Sequence, residues 1–284
     1  MGTKCRIVVY GSGETAAADA CAAAFDRVAQ LEGVMSDYRA DSEASVVLGR
    51  EPGVWHRVSR DFVDVLVRSG EVYRASDGAF DPAIGPLTRL WRETRRTGHA
   101  PDPGTLASAR ARSGFSMIEL EPDEGLIRFS RSGMGLDFGG IGKGYAADEA
   151  LRVLGARGFR IALIDFGGDL VVGDAPPDDP RGWVLEVRDG MGRPRTVRLA
   201  NAAIATSGDL EQFVEIDGVR YAHIIDPRTG LGLSRRTAAT VIANSGTLAD
   251  ALASAACVLG PDKVGPLRKA YPDAMIEVIV DPGG

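Results

Sequence analysis

The chain has 284 residues, 44% of them hydrophobic and 25% charged, with a net charge of −6 at pH 7. This acidic balance argues against a nucleic-acid partner, which would normally require a basic surface, and no apolar run approaches the ~18 residues of a membrane-spanning helix. Three cysteines without a C-x-x-C pair, and only three histidines, indicate neither a disulfide framework nor a zinc site. A metal would therefore be bound by oxygen atoms, which favours Mg²⁺ or Ca²⁺.

Apolar periodicity and turn residues predict a chain in which strands follow strands and helices are few. In chain order the predicted elements are a strand at residues 6–10, helices at 14–34 and 62–76, a hairpin of 115–120 and 126–130, a helix at 145–154, a strand pair within 162–172, strands at 183–188, 196–199, 203–206, 213–216 and 221–225, a helix at 247–259 and a strand at 275–280. This order indicates an α+β fold rather than a repeating βαβ unit. Because no internal repeat or low-complexity linker occurs, residues 1–284 are expected to form a single compact domain.

Two glycine-rich segments precede predicted helices and are candidates for phosphate binding. Residues 11–16 match the loose dinucleotide pattern G-x-G-x-x-A, but no second strand ending in an acid follows, so a plain turn is favoured over a Rossmann unit. Residues 137–148 contain four glycines and Lys143. Glycines let a backbone approach a ligand closely, and free N–H groups at a helix N-terminus attract phosphate. A ligand loop is favoured here over a packing turn, although the spacing is not that of a Walker A loop.

Candidate metal ligands and a candidate base lie further along the chain. Asp250 and Ser254 are four residues apart on a predicted helix, so their oxygens share one face and could bind a hard cation. Asp250 also fits a capping box with Thr247, which would give it a purely structural role. His223 lies between a strand and a turn and is a candidate general base. Asp226 either orients this histidine or caps the turn at residues 227–230.

These segments, together with several others, resemble the ApbE family, the FAD:protein FMN transferases. The motifs, in the family's order, are Met1-Gly2-Thr3; Ser36-Asp37-Tyr38 with Asp41-Ser42-Glu43-Ala44-Ser45; Gly78-Ala79-Phe80-Asp81-Pro82 with Gly85-Pro86-Leu87; LDFGGIGKGY at 136–145; Gly167-Gly168-Asp169; Thr206-Ser207-Gly208-Asp209; HIIDPRTG at 223–230; and ADALAS at 249–254 before Val258-Leu259-Gly260. The resemblance spans nearly the whole chain, and eight blocks in one order are far more specific than a single glycine loop.

The resemblance implies a T-fold-related architecture and a set of site residues. FAD would be lined by Met1, Tyr38, Ala79, Phe80, Asp81, Asp137, Lys143 and the backbone near Ile225. Magnesium would be bound by an oxygen of Gly140, Asp250 and Ser254, and would touch the FAD diphosphate. His223 would take the proton from a Ser or Thr hydroxyl of a target flavoprotein that carries a flavinylation motif. That hydroxyl attacks the diphosphate, so that AMP leaves and FMN stays attached through a phosphoester.

Two residues depart from the family's usual pattern. Ser254 stands where a threonine is usual and keeps the hydroxyl, and Gly142 replaces an alanine before the loop lysine. Family members usually follow a signal peptide or lipoprotein leader, whereas this sequence opens directly onto a predicted strand. The expected location is therefore the cytoplasm for the sequence as written, or the cell envelope if a leader has been removed.

Three other functions are kept as alternatives, and one charged segment is left without a role. The first alternative is a Mg²⁺-dependent FAD diphosphatase, in which water replaces the protein acceptor; the second is a protein that binds FAD without turnover. The third is a NAD-dependent oxidoreductase, which follows from the Rossmann pattern. The arginines among residues 89–96 could guide an acidic target, but a solvated surface is favoured for them.

Overall fold

The computed structural model describes residues 3–188, 192–208 and 212–281. The helices in these ranges are α1 (Glu14–Met35), α2 (Glu43–Leu48), α3 (Arg60–Ala75), α4 (Gly85–Thr97), α5 (Pro103–Ala111), α6 (Gly142–Ala156), α7 (Gly246–Leu259) and α8 (Gly265–Ala270). The strands are β1 (Cys5–Val9), β2 (His56–Arg57), β3 (Ile118–Glu121), β4 (Leu126–Phe129), β5 (Ala162–Phe166), β6 (Asp169–Val172), β7 (Trp183–Arg188), β8 (Pro194–Leu199), β9 (Ala202–Gly208), β10 (Phe213–Ile216), β11 (Val219–Ala222), β12 (Ile225–Asp226), β13 (Leu231–Gly232), β14 (Thr237–Ala243) and β15 (Met275–Val280).

A six-stranded sheet with the order β1-β5-β6-β9-β14-β15 organises the molecule. Every neighbouring pair in it is antiparallel, which confirms the predicted α+β class. The Rossmann interpretation of residues 11–16 is wrong, because β1 is an edge strand antiparallel to β5, whereas a dinucleotide unit needs parallel neighbours. Gly13 has φ +93° directly before α1, so this segment is a turn from strand to helix.

Helices cover one face of the sheet and a hairpin covers the other. On the first face α7 packs against β9 and β14, α6 packs beside α7, and α1 lies against α6. The main core there is built from side chains such as Ile164, Val241 and Leu252. On the other face the β7–β8 hairpin buries Trp183 and Leu185 in a separate cluster. The helical side is the one that positions the candidate site.

A third cluster fixes the turn that follows the candidate base. Leu87 and Trp91 of α4 pack against Ile225, and the Trp91 indole N–H donates a hydrogen bond to the Gly230 carbonyl at 2.8 Å. The segment after His223 is therefore attached to α4 by both apolar contact and a buried hydrogen bond. No helix in the described ranges is long and apolar enough to cross a membrane.

Several elements were not predicted from the sequence, and the reasons are local. Helices α2, α4, α5 and α8 lie in segments rich in proline or charge, and α4 begins with Pro86 in its first turn, where proline is tolerated. Strand β14 is buried on both faces and so lacks the alternation that marks a half-exposed strand. Helix α6 begins at Gly142, three residues before the predicted start, so the glycine loop forms its first turn.

Candidate functional site

A cleft of about 350 Å³ opens between α4, the first turn of α6, the end of β9, the turn after β11 and α7. The predicted site residues that line it are Tyr38, Ala79, Phe80, Asp81, Asp137, Gly140, Lys143, His223, Ile225, Asp250 and Ser254. Residues distant in sequence thus converge on one cavity, as the resemblance implies. Met1 and Asp209, which also belong to the matching motifs, lie outside the described residues.

Close contact between α6 and α7 brings Lys143 and Asp250 together. A Cβ built on Gly144 would overlap the Gly246 carbonyl and lie 2.8 Å from the Thr247 nitrogen, both of them backbone atoms. Only glycine permits this approach, because real Cβ atoms do not come that close to a backbone. The first turns of the two helices therefore meet at the floor of the cleft.

Asp250 is a buried carboxylate that faces this junction. One of its oxygens accepts a hydrogen bond from the Gly144 N–H at 3.1 Å, and the other lies 3.8 Å from the Lys143 ammonium. Burial raises the pKa of Asp250, while the Lys143 charge and the backbone N–H groups act in the opposite direction. Asp250 therefore offers a carboxylate oxygen to the cleft, and carboxylate oxygens are the ligands that a hard cation such as Mg²⁺ prefers.

The capping-box interpretation of Asp250 is wrong, because α7 begins one residue earlier than predicted. The Ser245 hydroxyl accepts from the Leu248 N–H at 3.3 Å and caps the helix. Asp148 of α6 accepts from the Gly246 and Thr247 N–H groups at 2.7 and 2.9 Å. The N–H groups of Gly246, Thr247 and Leu248 therefore have acceptors other than Asp250. The Asp250 side chain lines the cleft instead.

Lys143 has a second acidic neighbour that the prediction of site residues did not include. The Lys143 ammonium is in contact with Asp169, whose other oxygen accepts from the Thr206 N–H at 3.1 Å. Asp169 is buried, so one lysine balances two buried carboxylates. Asp169 follows Gly167-Gly168 in one of the matching motifs, and that motif was the only sequence signal for it.

Gly140 and Ser254 line the same cleft as Asp250. A Cβ on Gly140 would lie 2.7 Å from the Ser254 hydroxyl oxygen, which itself lies 3.1 Å from the Ser207 hydroxyl. The described residues contain no group of three or more His, Cys, Asp or Glu that could hold a metal. One carboxylate, one hydroxyl and one carbonyl fit Mg²⁺ if substrate phosphates and water supply its other ligands.

His223 follows β11 directly and is oriented by backbone. Its Nδ1 lies 3.2 Å from the Gln212 carbonyl, and its own N–H donates to the same oxygen at 2.9 Å. A carbonyl can only accept, so this contact places the proton on Nδ1 and leaves Nε2 as the acceptor. Asp226 does not orient the histidine. It caps the turn, accepting from the Arg228 N–H at 3.0 Å and pairing with the Arg228 guanidinium.

Tyr38 and Arg92 form the outer wall of the cleft. The Arg92 guanidinium lies 4.1 Å from the centre of the Tyr38 ring, pairs with Asp37 at 2.5 Å and lies 3.8 Å from Asp137. Tyr38 is 76% exposed, so the face of its ring that is turned away from Arg92 is open for stacking. The solvated-surface interpretation of the arginine run is wrong for Arg92 and Arg95, which line the cleft.

Asp81 lines the cleft but has its oxygens turned to the backbone. They accept from the Ala83 N–H at 2.7 Å and the Phe115 N–H at 3.0 Å. Burial raises the pKa of this carboxyl to about 6, and the two N–H donors only partly oppose that shift. Asp81 therefore fixes the loop that carries Ala79 and Phe80.

Comparison with known proteins decides the family. A model of the ApbE family matches residues 1–278. The chain belongs to the ApbE family. A protein of Treponema pallidum named FAD:protein FMN transferase is 32% identical over 96% of this chain and 80% of its own length.

Solved structures agree with this assignment. The flavin transferase ApbE from Vibrio cholerae superposes with a TM-score of 0.84 at 26% identity, covering 99% of this chain and 90% of that one. The ApbE protein of Thermotoga maritima gives a TM-score of 0.84 at 28% identity, covering 100% and 92%. The predicted family and its fold are therefore confirmed.

In this ApbE protein a second cavity of about 300 Å³ continues the cleft towards the start of the chain. It is lined by Thr3, Met35 and Ser36. It shares Tyr38, Arg92, Asp137, Gly139 and Lys143 with the main cleft. The binding space is thus elongated, with the lysine and the glycine loop near its middle. An elongated ligand with charge at its centre fits this shape.

Proposed function

We propose that this protein is a Mg²⁺-dependent FAD:protein FMN transferase that attaches FMN to a Ser or Thr hydroxyl of a target protein and releases AMP. The observation that carries the proposal is the convergence of Lys143, Asp250, Ser254 and His223 on one elongated cleft. Membership of the ApbE family and the name of the Treponema pallidum relative support the same function.

The cleft suits a dinucleotide whose charge lies between two ring systems. The diphosphate would lie near the Lys143 ammonium at the start of α6, where a cation and the positive end of the helix dipole both favour anions. A flat ring would stack on the open face of Tyr38. Asp250, Ser254 and the Gly140 carbonyl would hold Mg²⁺, which when bound neutralises charge on the diphosphate oxygens.

The transfer step needs a base and an aligned acceptor. In the proposed reaction the acceptor oxygen attacks the phosphorus of the FMN half, and the bond from that phosphorus to the bridging oxygen breaks. AMP leaves with the bridging oxygen, and His223 Nε2 takes the hydroxyl proton. The protein forms no covalent intermediate with the substrate, since phosphoryl transfer depends on positioning and charge stabilisation.

The proposal is tested by replacing the base and following both products. The protein is incubated with FAD and Mg²⁺, with or without a Ser- or Thr-containing acceptor peptide, and AMP release and peptide mass are read together. His223→Ala is expected to lower transfer by about 10²–10⁴-fold, the usual contribution of a general base, while FAD affinity changes little. His99→Ala, which alters an exposed histidine outside the cleft, is the matched control.

The outcomes separate the candidate functions. AMP together with an FMN adduct on the peptide, both lost in EDTA, supports the proposed transferase. AMP and free FMN, equal with and without peptide, would instead indicate an FAD diphosphatase. FAD binding without any AMP would indicate a carrier and would contradict the role given to His223.

A further inference from the structure

A third cavity, larger than the two described above, adjoins the cleft at His223. It has a volume of about 800 Å³ and is separate from the space described for FAD. The two cavities share Thr206, Gly208, Gln212 and His223. Its other walls come mainly from β1, β5, β6, β7 and the turn between β5 and β6, and none of these elements lines the FAD cleft. The candidate base therefore borders two spaces at once.

This cavity runs along one edge of β7. All six residues of that strand line it, although Trp183, Leu185 and Val187 are buried and Val184, Glu186 and Arg188 are exposed. Successive side chains of a strand point to opposite faces, so a cavity that touches both sets must follow the strand's edge. In the part of the chain that the structure describes, β7 pairs only with β8. The N–H and C=O groups of its other edge thus border the cavity.

The turn between β5 and β6 also borders this cavity, and the two glycines in it carry no side chains. Gly167 and Gly168 are exposed and have φ +66° and +99°. A Cβ on Gly168 would meet nothing within 4 Å, so the space above it is open. A polypeptide backbone could therefore approach this turn closely on its way along β7. Six residues of β7 span roughly 20 Å, the length of a six-residue extended segment.

We infer that this cavity binds the acceptor protein, as an extended segment that adds a strand to the edge of β7 that pairs with no other strand in the described ranges. The inference rests on the proposed function, because a transferase must bring a hydroxyl to His223 while FAD occupies the cleft. Main-chain hydrogen bonds to an exposed edge are a common way to hold extended peptides, and unprotected edges invite such pairing. The segment's Ser or Thr would lie where the cavity reaches His223.

The inference is tested first with a charge placed in the groove. The probe is a library of blocked octapeptides with one fixed Thr, from which the best acceptor is selected by flavin fluorescence of the product. Val184 is 54% exposed, so Val184→Asp should fold, which its melting temperature and FAD affinity will check. We expect it to raise the KM for the selected peptide at least tenfold while kcat at saturating peptide stays within twofold.

Val219→Asp is the matched control for this substitution. Val219 is 42% exposed at the tip of the β10–β11 hairpin, where it pairs with Ile216. Val219 lies four positions before His223, about 13 Å at the rise of a β-strand. Val219 does not line the large cavity. The KM of Val219→Asp for the peptide should therefore stay within twofold of that of the parent protein.

Backbone methylation of the peptide tests strand addition itself. An added strand donates only alternate N–H groups to its partner. N-methylation at successive positions of the selected peptide should therefore impair transfer with a period of two residues. Equal KM values for Val184→Asp and Val219→Asp, or N-methylation effects without a two-residue period, would refute binding of the acceptor along β7. The proposed transferase function would not be affected by either result. Failure of every peptide to accept FMN, with AMP still released, would overturn the proposed transferase and the groove with it.

Discussion

The contact between α6 and α7 predicts that one added methyl group will damage both the fold and the site. In Gly144→Ala the new Cβ would overlap the Gly246 carbonyl and lie 2.8 Å from the Thr247 nitrogen. Backbone atoms cannot rotate away, so the helices must separate by about 1 Å to reach van der Waals distance. That movement stretches the 3.1 Å hydrogen bond from the Gly144 N–H to Asp250 beyond useful length.

The size of the effect follows from three contributions. Overpacking of a core costs about 1–3 kcal/mol, and losing a hydrogen bond to a charged group costs about 1.5–3 kcal/mol. The higher helix propensity of alanine returns about 1 kcal/mol. The free energy of unfolding should therefore fall by about 2–5 kcal/mol. In a chain of this length that corresponds to a melting temperature lower by roughly 4–10 °C.

Gly155→Ala on the same helix is the control. A Cβ on Gly155 would meet nothing within 4 Å, so only the helix propensity changes, and the variant should be more stable by about 0.5–1 kcal/mol. Both variants would be measured by thermal and urea unfolding and by FAD titration, in which only Gly144→Ala should bind more weakly. A melting temperature for Gly144→Ala equal to or above that of the parent protein would refute the argument.

Two further predictions concern buried carboxylates. The pKa of Asp81 is raised to about 6, so the folded protein keeps a proton that the unfolded chain has lost. Between pH 4 and pH 6 the free energy of unfolding of the parent protein should therefore decrease by about 2–3 kcal/mol more than that of Asp81→Asn. Urea unfolding that gives the same pH dependence of this free energy for both proteins would contradict the prediction. Asp148→Ala leaves the Gly246 and Thr247 N–H groups without their acceptor and should destabilise the protein by about 2–4 kcal/mol. Asp19→Ala, on the exposed side of α1, should change stability by less than about 0.5 kcal/mol in the same assay.

The motif matches selected residues that lie together, whereas local patterns missed several of the helices and strands around them. All the predicted site residues within the described ranges line one cleft, because motifs with fixed residue types can be recognised without knowing their surroundings. Strand β14 was missed for a physical reason. Both of its faces are buried, so its apolar run shows no period of two. Its position between β9 and β15 is a long-range property that no local pattern contains.

The residues whose roles the sequence analysis misjudged or left open depend on contacts that no local sequence pattern contains. Arg92 belongs to a charge run typical of a surface, and only its contacts with Asp37 and Tyr38 place it at the cleft. Asp226 was a candidate to orient His223, but the Gln212 carbonyl does so instead. A backbone carbonyl has no signature in the sequence, because every residue carries one.

Two glycines help to place the groups at the centre of the site. Gly144 brings α6 and α7 together, which sets Lys143 within 3.8 Å of Asp250, and Gly140 lets the Ser254 hydroxyl lie where a Cβ would otherwise stand. The close approach of the backbones places these groups next to each other. Across a wider gap a longer side chain would be needed, and fixing it would cost more conformational entropy. One lysine can then balance two buried carboxylates. A substrate diphosphate that attracts the lysine would leave both carboxylates in need of another cation, so binding of FAD and of Mg²⁺ should favour one another.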